Sequence, residues 1–122
     1  MSMEIQFKGT NYHLAGDMTE LAERKLQGLK KFLGKPEKPA QAYVDLGKVT
    51  EAHQNGAIWY ADANIDVNGE SFNAKAEGEN LRLAIERMVK EMAMELRSAK
   101  QKRETLKRKD GGRLKNMFRF GF

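Results

Sequence analysis

Apolar and polar residues alternate at the start of the chain, with Met3, Ile5 and Phe7 on one side and Glu4, Gln6 and Lys8 on the other. A period of two predicts a half-buried strand, ended by Gly9-Thr10-Asn11. From Asp17 to Leu33 the period lengthens. Met18, Leu21, Ala22, Leu26, Leu29, Phe32 and Leu33 recur at spacings of three and four until Gly34 and Pro36 stop the pattern, which predicts a first helix. Gln41 to Val49 is partly β-branched and reads as a second strand.

The clearest alternation is central: Trp59, Ala61, Ala63, Ile65 and Val67 interleave with Tyr60, Asp62, Asn64 and Asp66, then meet Asn68-Gly69. Asn-Gly supplies the two positive φ angles of a type I′ turn, so a hairpin is expected, with Glu70 to Glu77 returning and Phe72, Ala74 and Ala76 on one face. Asn80 is placed to cap a long second helix, because its side chain can accept from free backbone N–H groups. Leu81, Ile85, Met88, Val89, Met92, Leu96 and Ala99 form the stripe of that helix. The order is β-α-β-β-β-α without an internal repeat. Helices segregated from an antiparallel meander make an α+β two-layer sandwich.

Charge divides the chain unevenly. Residues 1–96 hold 12 basic and 15 acidic side chains, whereas residues 97–122 hold 10 basic and 2 acidic, so the formal +5 belongs to one end. A cationic end of that density suits a polyanion, and nucleic acid is the commonest. At 122 residues the chain fits one domain, residues 1–104, followed by a basic aromatic tail, residues 105–122. No run approaches the ~18 apolar residues of a membrane span, which argues against membrane insertion. The start, Met1-Ser-Met-Glu-Ile-Gln-Phe7, lacks the basic and apolar regions of a secretory signal, so a cytoplasmic location is expected. The chain has no cysteine, which removes disulfides, thiolate catalysis and zinc–thiolate sites.

Little in the sequence suggests catalysis. His13 and His53 stand in polar loops without a second ligand at metal spacing, so neither a metal nor a cofactor is expected. Asp62 and Asp66 share a strand face with Tyr60, and such a pair could do acid–base work in a cleft, although a solvated face explains them better. Gly111-Gly112 follows no strand and opens no helix, unlike a phosphate loop. A non-enzymatic role is therefore expected, with a hydrolase using Asp62 or Asp66 as a distant third reading.

On the second helix, 100° per residue places Leu83, Arg87, Lys90, Met94, Arg97 and Gln101 opposite the apolar stripe, with Arg82 and Lys100 flanking. This is a basic ridge, interrupted by Glu86 and Glu91, and it is either a solvated face or a contact surface. Leu83 and Met94 favour contact, because apolar side chains among cations can pack on sugar, base or protein. Lys25 falls within the stripe of the first helix. Its ammonium must reach solvent there, either as a snorkelling stem or as part of a basic surface with Arg24 and Lys31.

Several segments resemble the ribosome hibernation-promoting factor family, also called ribosome-associated inhibitors or ribosomal subunit interface proteins. They are Ile5-Gln-Phe-Lys-Gly-Thr-Asn11, Lys25-Leu-Gln-Gly-Leu29, Ala61-Asp-Ala-Asn-Ile-Asp-Val-Asn-Gly69 and Ala74-Lys-Ala-Glu-Gly78 leading to Leu83-Ala-Ile85. The likeness covers residues 3–103 and implies a short-form member with a fold like double-stranded RNA-binding domains, both helices on one face of the sheet. It also implies a translation inhibitor that occupies the small-subunit channel at the mRNA and A/P-site tRNA positions, contacts rRNA and neighbouring ribosomal proteins, and keeps ribosomes inactive under stress. Off the ribosome such a chain is expected to be monomeric.

Family members meet rRNA phosphates through Lys and Arg on the helices, which positions them without reading sequence. Carried over, this puts Lys25, Lys90, Arg97 and Lys100 on such a surface, and Arg24, Lys31, Arg82, Arg87, Lys102 and Arg103 are expected to extend it. Two departures stand out. Glu91 and Met94-Glu95 replace a basic residue and an Arg-Gln pair, thinning the central patch, and Ala15-Gly16 replace a Ser or Thr cap, so Asp17 is expected to start the first helix.

The tail carries Lys107, Arg108, Lys109, Arg113, Lys115 and Arg119 with Phe118, Phe120 and Phe122. Gly111-Gly112 should end any helix running through Lys109 and leave a flexible arm, disordered when free. Phenylalanine stacking on unpaired bases contributes about 1–3 kcal/mol each, so the cations with Phe118 and Phe120 are expected to bind RNA. Alternatives are a solubilising end, or an anchor to a protein or membrane surface through Met117 and the phenylalanines. For the whole chain the alternative function is a regulator of other structured RNA using the same helical face and tail.

Overall fold

The computed structural model describes residues 3–49 and 59–108. β1 (Glu4–Thr10) leads through α1 (Gly16–Gln27) and a 3-10 helix (Gly28–Phe32) to β2 (Gln41–Lys48). β3 (Trp59–Val67), β4 (Glu70–Gly78) and α2 (Leu81–Arg108) follow. The four strands lie in the order β1-β2-β3-β4. The antiparallel meander is confined to β2, β3 and β4, while β1 pairs parallel to β2, with Glu4 opposite Gln41 and Thr10 opposite Gly47. Helical crossover through α1 brings the chain back to start β2 in the same direction, as a parallel pair requires. A Cβ on Gly47 would run into the Thr10 carbonyl oxygen, so glycine permits that close pairing.

At the β3–β4 turn Asn68 has φ 53° and Gly69 φ 79°, the backbone expected of Asn-Gly. Asn80 caps α2, its Oδ1 accepting from the Leu83 N–H at 2.9 Å. The first helix differs from expectation in two ways. It begins after Ala15, whose carbonyl accepts from Met18 and Thr19 and whose N–H donates to the Tyr12 hydroxyl at 3.1 Å, so no side chain caps it. Asp17 lies in the first turn instead, where its charge complements the helix dipole. The α-helix also stops at Gln27, and the segment predicted to continue it winds as the 3-10 helix from Gly28, a poor α-helix former. Tighter winding still turns Leu29 and Leu33 into the core.

One core joins the layers. Leu21, Ala22 and Leu26 of α1 meet Val44, Leu46 and Ile65 of the sheet and Ile85, Met88, Met92 and Leu96 of α2. α2 packs over β3 and β4. Alanines at positions 61, 63 and 74 are buried there, and their small side chains leave room for the long methionines above. The opposite face of the sheet carries the polar alternates.

α2 has 28 residues, whereas β3 and β4 have 9 each. At 1.5 Å per helical residue and 3.3 Å per strand residue, the helix is longer than the strands by about 12 Å. Leu96 is its last buried residue among those whose side chains are described. The helix continues past the boundary expected at residue 104, and Lys107 and Arg108 form its final described turn.

Candidate nucleic-acid interface

The expected cations lie on three elements. Arg24 and Lys25 occupy the last turn of α1, Lys31 the 3-10 helix, and Arg82, Arg87, Lys90, Arg97, Lys100, Lys102 and Arg103 are all on α2. Lys25 is half-buried rather than sealed within the stripe, as a snorkelling lysine must be.

Phe32 gathers cations from two elements. The Lys31 ammonium lies 5.4 Å and the Arg97 guanidinium 5.7 Å from its ring centroid, within cation–π range, and Arg103 Nη2 donates to its backbone carbonyl at 2.8 Å. Arg103 falls seven residues after Leu96, on the core-facing line of the helix. There that line carries a guanidinium that clips the 3-10 helix.

Other cations are partly engaged. Arg87 Nη1 donates to the Glu77 carbonyl at 2.8 Å, tying the helix to β4. Lys100 lies 2.8 Å from Glu104 and Arg82 4.0 Å from Glu86, both exposed i,i+4 pairs that a polyanion could displace at little cost. Among the described residues, Arg24, Lys25, Lys90 and Lys102 have no carboxylate within ion-pair distance. The helix therefore divides. Along α2, Arg82, Arg87 and Lys90 alternate with Glu86, Glu91 and Glu95, while Glu104 alone follows Arg97, Lys100, Lys102 and Arg103 among the described residues.

Of the two apolar residues placed on the ridge, Met94 is 54% exposed. Leu83 is half-buried, because Gly78, with no side chain, lets its Cβ approach the end of β4. Glu70, Phe72, Met94, Glu95, Lys102 and Leu106 border an open groove of about 570 Å³ beside the overhanging part of α2. Side chains of Lys107 and Arg108, together with Lys109, Arg113, Lys115, Phe118, Arg119 and Phe120, lie outside the described residues, as does His53.

The carboxylates of the outer sheet face are engaged within the sheet. Asp45 accepts from Thr10 Oγ1 at 2.8 Å and from the Tyr60 hydroxyl at 2.9 Å. Asp62 accepts from Asn73 at 3.0 Å, and Asp66 accepts from Asn64 and Ser71. Burial, and then the hydrogen bond and negative charge of Asp45, push the Tyr60 phenol above its ordinary value against an opposing hydrogen bond with Thr10. Among the described residues, no His, Cys, Asp and Glu group of three or more could hold a metal ion, and no helix is long and apolar enough to cross a membrane.

The family described as Sigma 54 modulation protein / S30EA ribosomal protein matches residues 5–104. The chain belongs to this family. A ribosome hibernation promoting factor of Klebsiella oxytoca is 30% identical over 100 residues, which span 82% of this chain and 96% of that protein. The S30EA fold recurs in the N-terminal domain of Thermus thermophilus Protein Y, with a TM-score of 0.63 at 20% identity over 80% of this chain and 98% of that one. A ribosomal subunit interface protein from Coxiella burnetii gives 0.61 at 20% identity, covering 81% and 99%. The S30EA match ends at residue 104, so the part of the tail beyond it is a feature of this chain outside the shared region.

Sequence reasoning missed Phe32 as an organising residue, having placed it only in the apolar stripe. It also passed over Lys30 and Lys35, which flank the expected Lys31. Two adjacent lysines at the end of a predicted helix were the available signal, since cations there complement the dipole and commonly remain near solvent.

Proposed function

We propose that this chain is a non-enzymatic, cytoplasmic translation inhibitor that binds the small ribosomal subunit in the channel for mRNA and A/P-site tRNA and holds ribosomes inactive. The observation that carries the reading is the convergence of Lys31, Arg97 and Arg103 on Phe32, with displaceable Lys100 on the same side of α2, in a chain of the S30EA family. Cations held by a ring and a carbonyl keep their positive charge and lose little freedom on meeting phosphate. They position the protein on RNA without base selection. Arg24, Lys25, Lys90 and Arg87 extend the surface, and Glu91 and Glu95 weaken it at the middle of α2.

The cations after Arg108 supplement this surface, with Phe118 and Phe120 stacking on unpaired bases. Truncation after Arg108 removes Lys109, Arg113, Lys115 and Arg119 while keeping every described residue of α2. If all four meet phosphate, the slope of log K against log salt for ribosome binding becomes shallower by about 3 units. Sedimentation of the full chain and the truncation with purified ribosomes across a salt series measures both claims. Full chain left in the top fractions at moderate salt would refute ribosome binding, and identical slopes would remove the tail from it.

A further inference from the structure

A second concave site lies between the 3-10 helix and the start of β2. Met3, Leu33 and Ala40 are each at most 7% exposed and form its floor, with half-buried Pro36 and Pro39 beside them. Lys30, Lys31 and Lys35, with Gly34, complete the lining of this cleft of about 460 Å³, within the ~300–1,000 Å³ usual for small-molecule sites. Among the described residues no carboxylate lines it, and Glu37, next to Pro36 in the chain, is exposed and outside the lining. Among the described residues, none of the three lysines has an ion-pair partner.

The cleft is held in shape from several directions. Gln27 clamps the Met3 backbone, Oε1 accepting from its N–H at 3.1 Å and Nε2 donating to its carbonyl at 2.8 Å. Glu4 N–H donates to the Ala40 carbonyl at 2.9 Å, and Leu33 N–H donates to the Lys30 carbonyl at 2.9 Å. Both prolines fix their own φ angles. A floor held this way loses little entropy on filling.

We infer that this cleft binds a phosphorylated nucleoside, its base against the Met3, Leu33, Pro36, Pro39 and Ala40 surface and its phosphates on Lys30, Lys31 and Lys35. An apolar floor bordered by cations fits a ligand that is flat and weakly polar at one end and anionic at the other. No side-chain donor or acceptor projects from the floor, so ADP and GDP bind alike. The ligand is either a free nucleotide or one nucleotide of a bound RNA; Lys31 is shared with the proposed ribosome-binding surface, whereas Lys30 and Lys35 serve this cleft.

Titrating the full 15N-labelled chain separately with ADP, a pentanucleotide RNA and inorganic phosphate tests the assignment. Saturable shifts at the amides of Met3, Leu33, Gly34 and Ala40 are expected with ADP, with the RNA or with both, and the pattern identifies the source. Lys30→Gln with Lys35→Gln removes two surface charges and no core contact, so this variant keeps the native spectrum while binding at least about tenfold more weakly. Phosphate binding as tightly as ADP, shifts confined to other surfaces, an affinity unchanged in the double variant, or no saturable binding would each overturn the inference.

Discussion

The carboxylates on one outer surface of this layered molecule and the cations on the other are engaged in opposite ways. On the uncovered face of the sheet, Asp45, Asp62 and Asp66 accept hydrogen bonds from Thr10, Tyr60, Asn73, Asn64 and Ser71. Each carboxylate thus stitches strands or neighbouring residues together. On the helical side, Arg24, Lys25, Lys90 and Lys102 stay without carboxylates among the described residues, and the cations around Phe32 are held by a ring and a carbonyl that leave their charge uncompensated. The contrast separates charge used to build the fold from charge left for a partner. Counting acids and bases would not reveal it, since both surfaces are simply polar in composition.

Both surfaces rest on the shared core. Leu96→Asp places a carboxylate at the last buried turn of α2, 1% exposed, and should cost at least about 3–5 kcal/mol, read as loss of cooperative urea unfolding by circular dichroism. Both surfaces then disappear together. A sharper test changes one surface only. Lys90→Glu, Arg97→Glu and Lys100→Glu in one chain should make the salt slope of ribosome binding shallower by about 2–3 units with the fold retained, whereas Asp62→Asn should leave the slope unchanged. Equal effects from the two faces would dissolve the distinction.

The smallest effect concerns Tyr60. Its phenol is raised in the folded chain, so above the ordinary value of 10.0 the unfolded chain gives up this proton first and the folded chain keeps it. Unfolding is then favoured, and stability should fall as pH rises from about 10 through the folded value. Tyr60→Phe should remove this alkaline step while lowering stability slightly at neutral pH through the lost bond to Asp45. Urea midpoints at several alkaline pH values would show whether the step vanishes.

Much of this architecture is written in local pattern. The period-two runs locate the strands, Asn68-Gly69 fixes the hairpin because both residues tolerate positive φ, and Asn80 caps α2 through a contact spanning only three residues. The resemblance to the family is likewise a matter of short segments in order. Where sequence reasoning went astray, the deciding partner was non-local or the backbone had two acceptable forms. Asp17 was expected to start α1, but Ala15 does so with Tyr12 accepting its N–H; Gly28 allowed the helix to tighten, which periodicity could not detect because 3-10 and α winding both return an apolar residue after three positions.

The sequence by itself determined the β-α-β-β-β-α order, the faces that enter the core and the excess of positive charge toward one end, because each depends on neighbours a few positions apart. Only the tertiary structure decided that β1 runs parallel to β2, that Leu83 closes against Gly78, and that Lys31, Arg97 and Arg103 meet at Phe32. Arg103 and Phe32 are 71 positions apart in the chain. Their contact exists because α2 outruns the sheet it covers, and a continuous helix carries its core-facing line to wherever the next available surface lies.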